Sequence, residues 1–132
     1  MAGVGFRVVQ ATAFDWITRP HEPGEAARHV AELSDAAGFA HTRANVWRYE
    51  SGARGRRHQH RSQEETFVVL AGTLSMYVGD PPERQDIPAG GVIHIEPGTP
   101  LQAANHGDHD LIVYAYGYPP ESEHADILSP VV

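Results

Sequence analysis

Two histidines separated by one residue, His58 and His60, and the acidic pair Glu64 and Glu65 just beyond them are the side chains of this sequence best spaced for chemistry. On an extended segment residues i and i+2 leave the same face, so both imidazoles can meet at one point. Glu65 is an odd number of residues past His60 and would face away on an unbroken strand. Arg61, Ser62 and Gln63 must therefore turn, after which Glu65 opens a new strand facing the histidines. Two neutral imidazoles and one carboxylate suit a divalent metal ion (Fe, Mn, Zn or Ni), and three ligands leave coordination positions open for water or substrate. The same residues also read as a solvated patch, because His58 and His60 lie among Arg48, Arg54, Arg56, Arg57 and Arg61. Spacing alone does not choose between the two.

A longer pattern surrounds them. Gly52, five residues, His58-x-His60, four residues, Glu65, six residues and Gly72 resembles the first motif of the cupin family at each of its fixed positions. A second stretch, with Gly90, Gly98 and Asn105 in place, resembles the second cupin motif with two departures. Glu96 stands where the family has proline, and Leu101 where it has its fourth metal ligand. The resemblance implies an all-β antiparallel jelly-roll barrel with little helix, and a metal held by His58, His60 and Glu65. Leucine cannot ligate, so a three-histidine site would need His94, Gln102, His41 or His106 to move in. What remains is the two-histidine, one-carboxylate set that non-haem Fe(II) oxygenases use.

The elements that must position these residues are short. Residues 42–49 alternate, with Asn45, Trp47 and Tyr49 on one face and Arg48 on the other. Residues 66–70 and 73–78 read as a hairpin around Ala71 and Gly72. Ile87 and residues 92–95, 101–104 and 111–116 supply further strands, each closed by Gly, Pro or Asn turn chemistry. Two extended runs, 6–10 and 14–17, precede a turn-rich segment. Residues 25–37 have helical spacing, but small cupins place an edge strand there, so a strand over 28–33 and a turn over 34–38 are expected. Many short strands with regular turn signals point to a sandwich or barrel. The 132 residues read as one domain, with N-terminal strands over 1–38, the barrel core over 39–116 and a proline-rich tail over 117–132. The apolar residues of that tail, Ile127, Leu128, Val131 and Val132, are expected to pack on a neighbouring surface or a second subunit.

Composition excludes several kinds of chemistry. The chain has no cysteine, so disulfides and thiolate nucleophiles are out. It has no lysine either, which removes Schiff-base chemistry and a P-loop. A net charge of −7 argues against nucleic acid or an anionic membrane as a partner. The arginines of residues 48–61 form a positive rim suited to a small carboxylate or phosphate. The first residues do not read as a signal peptide and no apolar run approaches a membrane span, so a cytoplasmic protein is expected.

The expectation is a small cupin with a divalent metal in its barrel, acting on a small-molecule substrate. The cavity would be walled by Asn45, Trp47, Tyr49, Phe67 and Leu101. Oxygenase chemistry comes first and isomerase or lyase chemistry next; in the latter the metal polarises a carbonyl while His94 or Glu64 moves a proton. The rival expectation is a metal-poor, non-catalytic cupin that binds a ligand or serves regulation or assembly, and whether the chain is an enzyme stays open. The family resemblance also implies a homodimer. His21, His29 and His124 have no partner pattern, and His106, Asp108 and His109 fall on a turn.

Overall fold

The computed structural model describes residues 5–121 and 125–132; His124 lies outside the described residues. The alternation around Trp47 produces the strand it predicts, with Ala44 and Val46 on one face and Asn45, Trp47 and Tyr49 on the other. Among the described residues there are eleven strands: β1 (Trp16–Thr18), β2 (Arg28–Glu32), β3 (Arg43–Tyr49), β4 (His58–Gln59), β5 (Glu64–Ala71), β6 (Thr73–Val78), β7 (Glu83–Pro88), β8 (Val92–Ile95), β9 (Leu101–Ala104), β10 (Leu111–Tyr118) and β11 (Asp126–Ile127). They form two antiparallel sheets, one of order β1-β2-β3-β10-β5-β8 and one of order β11-β4-β9-β6-β7. This is a jelly roll whose sheets face each other, neither one closed on itself by hydrogen bonds.

The inward faces supply one apolar core, with Phe67, Val69, Leu74, Met76, Leu111 and Val113 at its centre. The hairpin expected of residues 66–70 and 73–78 does not form: β5 pairs with β10 and β8, β6 with β7 and β9, and at Gly72 the chain crosses from one sheet to the other. The φ of Gly72, 78°, is left-handed, and a Cβ there would meet the Asp110 carbonyl oxygen at 2.9 Å. Both facts demand glycine at this position.

Residues 25–37 resolve as strand followed by one helical turn, α1 (Ser34–Ala37). Hydrogen bonding of β2 to β1 on one side and β3 on the other outweighs the helical propensity of its alanines. The extended run at 6–10 forms no strand; Phe6 and Val8 stay exposed, and a 3₁₀ turn, Ala11–Ala13, follows. Strand β7 is longer than Ile87 alone suggests, because its polar residues sit on an exposed sheet edge where no apolar pattern is needed. Residues 125–132 return onto this chain's own barrel: β11 pairs with β4, and the Gln102 side chain binds the backbone of Val131 and Val132. Among the described residues, no helix is long and apolar enough to cross a membrane.

Candidate metal centre

His58 lies on β4 and His60 just past it, while Glu65 is on β5 after the turn at Arg61 and Ser62. The turn reverses the strand parity, so one potential ligand atom from each of the three residues falls within 4.8 Å of the others. The imidazole planes are nearly perpendicular, at 89°, with centroids 5.0 Å apart. His60 Nε2 is 3.3 Å from Glu65 Oε1, and the two side chains are only 11% and 16% exposed. Glu65 Oε1 is buried and makes no aligned hydrogen bond.

Both histidines are held in one tautomer. His58 Nδ1–H donates to the Arg56 carbonyl at 2.9 Å, and His60 Nδ1–H donates to the Glu121 carboxylate at 3.0 Å. Each Nε2 is thereby left with its lone pair for a metal, the arrangement that orients ligating histidines in metal sites. Burial pushes His58 below the ordinary imidazole value, which favours the neutral form that ligates. His60 is raised, chiefly by the facing Glu65 carboxylate, with burial opposing and Glu121 adding to the rise. An orphaned carboxylate oxygen and two imidazoles with free Nε2 atoms, converging on one point, fit a divalent cation.

Glu121 is the residue of this centre that sequence reasoning missed. Burial by itself would raise its carboxyl, but hydrogen bonds from the Ser62 and Gln63 N–H groups and from His60 hold it at about 2. It stands just after Pro119 and Pro120, in a stretch that reads as surface tail, and no local pattern marks it.

The cluster opens into a cavity of about 540 Å³. Asn45, Trp47, Tyr49, Phe67 and Leu101 all line it, with Leu74, Leu111 and Val113 completing an apolar wall. Leu101 sits opposite His58 in the β4–β9 register, so its side chain occupies the place beside the cluster that a fourth ligand would take. Gln102 faces the other way and holds the chain's last residues.

Residues 45–116 match the family model of the Cupin domain. The chain belongs to the cupin family. Its fold resembles a cupin-superfamily sugar phosphate isomerase from Silicibacter pomeroyi at a TM-score of 0.73 and 21% identity, covering 86% of this chain and 76% of that one. A predicted oxalate decarboxylase from Thermotoga maritima gives 0.74 and 19%, covering 86% and 100%. The polyketide cyclase RemF from Streptomyces resistomycificus gives 0.77 and 15%, covering 95% and 87%. At these identities the likeness is one of fold. A search of curated proteins finds no match.

Within this cupin the two residues expected to move protons lie away from the cavity. His94 and Glu64 are on the outer face of their sheet, 47% and 51% exposed and 3.5 Å apart, and His94 hydrogen-bonds Thr66 Oγ1. On β8, Ile93 and Ile95 take the inward positions, which leaves His94 on the opposite face. None of the substitute ligands enters either: His41 is exposed, and His106 bonds the Tyr77 hydroxyl. The positive rim is also differently made. Arg48 pairs with Asp110 outside the barrel, Arg57 bonds the Ser129 and Gly79 carbonyls and Arg61 pairs with Asp126. Of the arginines in residues 48–61 only Arg56 lines the cavity, where it is joined by Arg19, Arg28 and Arg43 from elsewhere in the chain.

Proposed function

We propose that this cupin is a metal-dependent enzyme acting on a small molecule in the barrel cavity, with oxygenase chemistry first and isomerase or lyase chemistry next. The observation that carries the reading is the pair of fixed tautomers: Arg56 and Glu121 occupy both Nδ1 atoms, so both Nε2 atoms converge on the unpartnered oxygen of Glu65. A bound divalent ion, whether Fe, Mn, Zn or Ni, would supply Lewis-acid or redox chemistry at positions left open by three protein ligands. The chain's own residues do the rest. Phe67, Leu74, Leu101 and Val113 exclude water around the cluster. Tyr49, whose phenol burial keeps protonated against the opposing pull of Arg28, is a hydroxyl donor facing the same space. With His94 and Glu64 outside, proton movement falls to Tyr49.

The alternative, a cupin that binds a ligand without turning it over, is favoured by Leu101 at the place of the family's fourth ligand. Metal analysis of untagged protein purified without chelator separates the two, run alongside His58→Ala and Leu101→His. The enzyme reading expects stoichiometric transition metal in the unmodified protein and its loss in His58→Ala with the fold intact. Absence of metal from the unmodified chain, with recovery in Leu101→His, would overturn that reading and leave the binding role.

A further inference from the structure

Arg28 stands opposite Tyr49 in the β2–β3 register, Tyr49 stands opposite Leu111 in β10, and the Arg19 N–H bonds the Arg28 carbonyl. Arg19, Arg28, Tyr49 and Leu111 thus form one rung across the sheet, and directly opposed residues share a face. That face is the cavity wall, which all four line. Two guanidinium groups, Arg28 from β2 and Arg19 from just beyond β1, therefore line a cavity whose histidines come from the other side of the barrel.

Both arginines stand on the cavity wall without an acidic partner among the described residues. Arg28 lies over the Trp47 ring at 5.3 Å, and its charge pulls against the burial that raises the Tyr49 phenol, so the guanidinium stands beside both rings. Arg19 is half-buried, and its Nε is buried with no hydrogen-bond partner. A buried guanidinium N–H without a partner, as at Arg19 Nε, is costly unless something arrives to satisfy it. The acidic groups lining the same cavity do not do so: Glu121 is taken by Ser62, Gln63 and His60, and Glu65 faces the histidines. Arg43 adds positive charge on the rung of Glu65, the two separated by Gly117 of β10. A Cβ on Gly117 would lie 2.6 Å from the Gln63 side chain, so that rung stays without a side chain at its middle.

We propose that the ligand is a small carboxylate with a flat apolar body, its carboxylate gripped by Arg28 and Arg19 and its other end directed at His58, His60 and Glu65. The proposal deepens the metal-dependent reading and depends on it only for that other end. The planar fork of a guanidinium matches the two oxygens of a carboxylate. Trp47, Tyr49 and Phe67 offer flat faces to the body, while Leu74, Leu111 and Val113 offer no hydrogen bonds to a polyhydroxylated one.

The probes are benzoate, its neutral isostere benzamide, and inorganic phosphate, titrated calorimetrically into metal-loaded and chelator-stripped protein. Benzoate is expected to bind both forms, with benzamide weaker by at least about tenfold. Arg28→Gln and Arg19→Gln should each erode that preference, while Arg48→Gln, on the outer face over Trp16, should leave it intact. Arg19 follows an edge strand, so its variant carries the test if Arg28→Gln fails to fold. Equal affinity for benzoate and benzamide, no binding of benzoate at millimolar concentration, or a preference that survives loss of both arginines overturns the proposal. Phosphate binding as tight as benzoate overturns the apolar body. A failed metal reading looks different: no metal is retained, yet the benzoate preference persists in the stripped protein.

Discussion

Replacing Glu121 by glutamine keeps its shape but removes the charge that holds His60 in one tautomer. Glu121→Gln is expected to weaken metal binding roughly 10- to 100-fold, the usual cost of losing such a supporting contact, with the circular dichroism spectrum unchanged. Competition with a chromophoric chelator measures it, and full affinity in the variant would mean that the Nδ1 contact is idle. The ionisation of His60 sets a second expectation. Because Glu65 raises it, His60 keeps its second proton above the ordinary imidazole value near 6.5, and a metal must displace that proton. Affinity should therefore climb with pH by up to about tenfold per unit where one proton is displaced, then level once His60 is neutral. His58, held low by burial, is already neutral there and adds nothing to the slope. The same competition assay run across pH reads this out; a flat profile would show that no proton leaves. His58, His60 and Glu65 were legible in the sequence because eight residues and one turn bring them together. Glu121 was not, since its partner is 61 residues away. His94 alternates with Ile93 and Ile95 on β8, and periodicity alone cannot say which of those faces is inside.

At the scale of elements, β9 divides two tasks between neighbouring side chains, Leu101 and Gln102. Gln102 faces away from the cavity because Leu101 faces in, and there its amide accepts from the Val131 N–H at 2.7 Å and donates to the Gly55 and Val132 carbonyls. Gln102 is almost wholly buried, so Gln102→Ala leaves several polar groups without partners. The expected loss is about 1–3 kcal/mol in chemical denaturation, together with faster proteolytic cleavage within residues 125–132. Unchanged proteolysis would mean that the β4–β11 pairing holds the segment by itself. In residues 25–37 apolar spacing alone favoured a helix; the strand expected over 28–33 rested on the cupin resemblance, and β2 forms it by filling the place between β1 and β3. The strands around Trp47, Phe67 and Val113 were legible because their β-branched and aromatic residues run between clear turn signals, although both faces of β3 and β5 are partly covered.

For the whole molecule, the homodimer implied by the family has apolar surface to use: Phe6, Val8 and Ile17 near the N-terminal strand are all exposed. Sedimentation velocity is expected to give a dimer that Val8→Asp combined with Ile17→Asp converts to monomer; a monomeric unmodified chain would reject this. The jelly-roll architecture was readable from strand spacing and the two motifs, whereas the sharing of the cavity wall between distant arginines was not, because register across a sheet is set only on folding. The dependence of His60 on Glu121 also has a meaning in time. A chain grows from its N-terminus, so His58, His60 and Glu65 emerge from the ribosome well before β10, which must slot between β3 and β5, and before the carboxylate that orients His60. A chain that has emerged only as far as Glu65 thus carries His58 already aligned by the Arg56 carbonyl but His60 without its carboxylate, and the cluster takes its shape only when residue 121 has joined the fold.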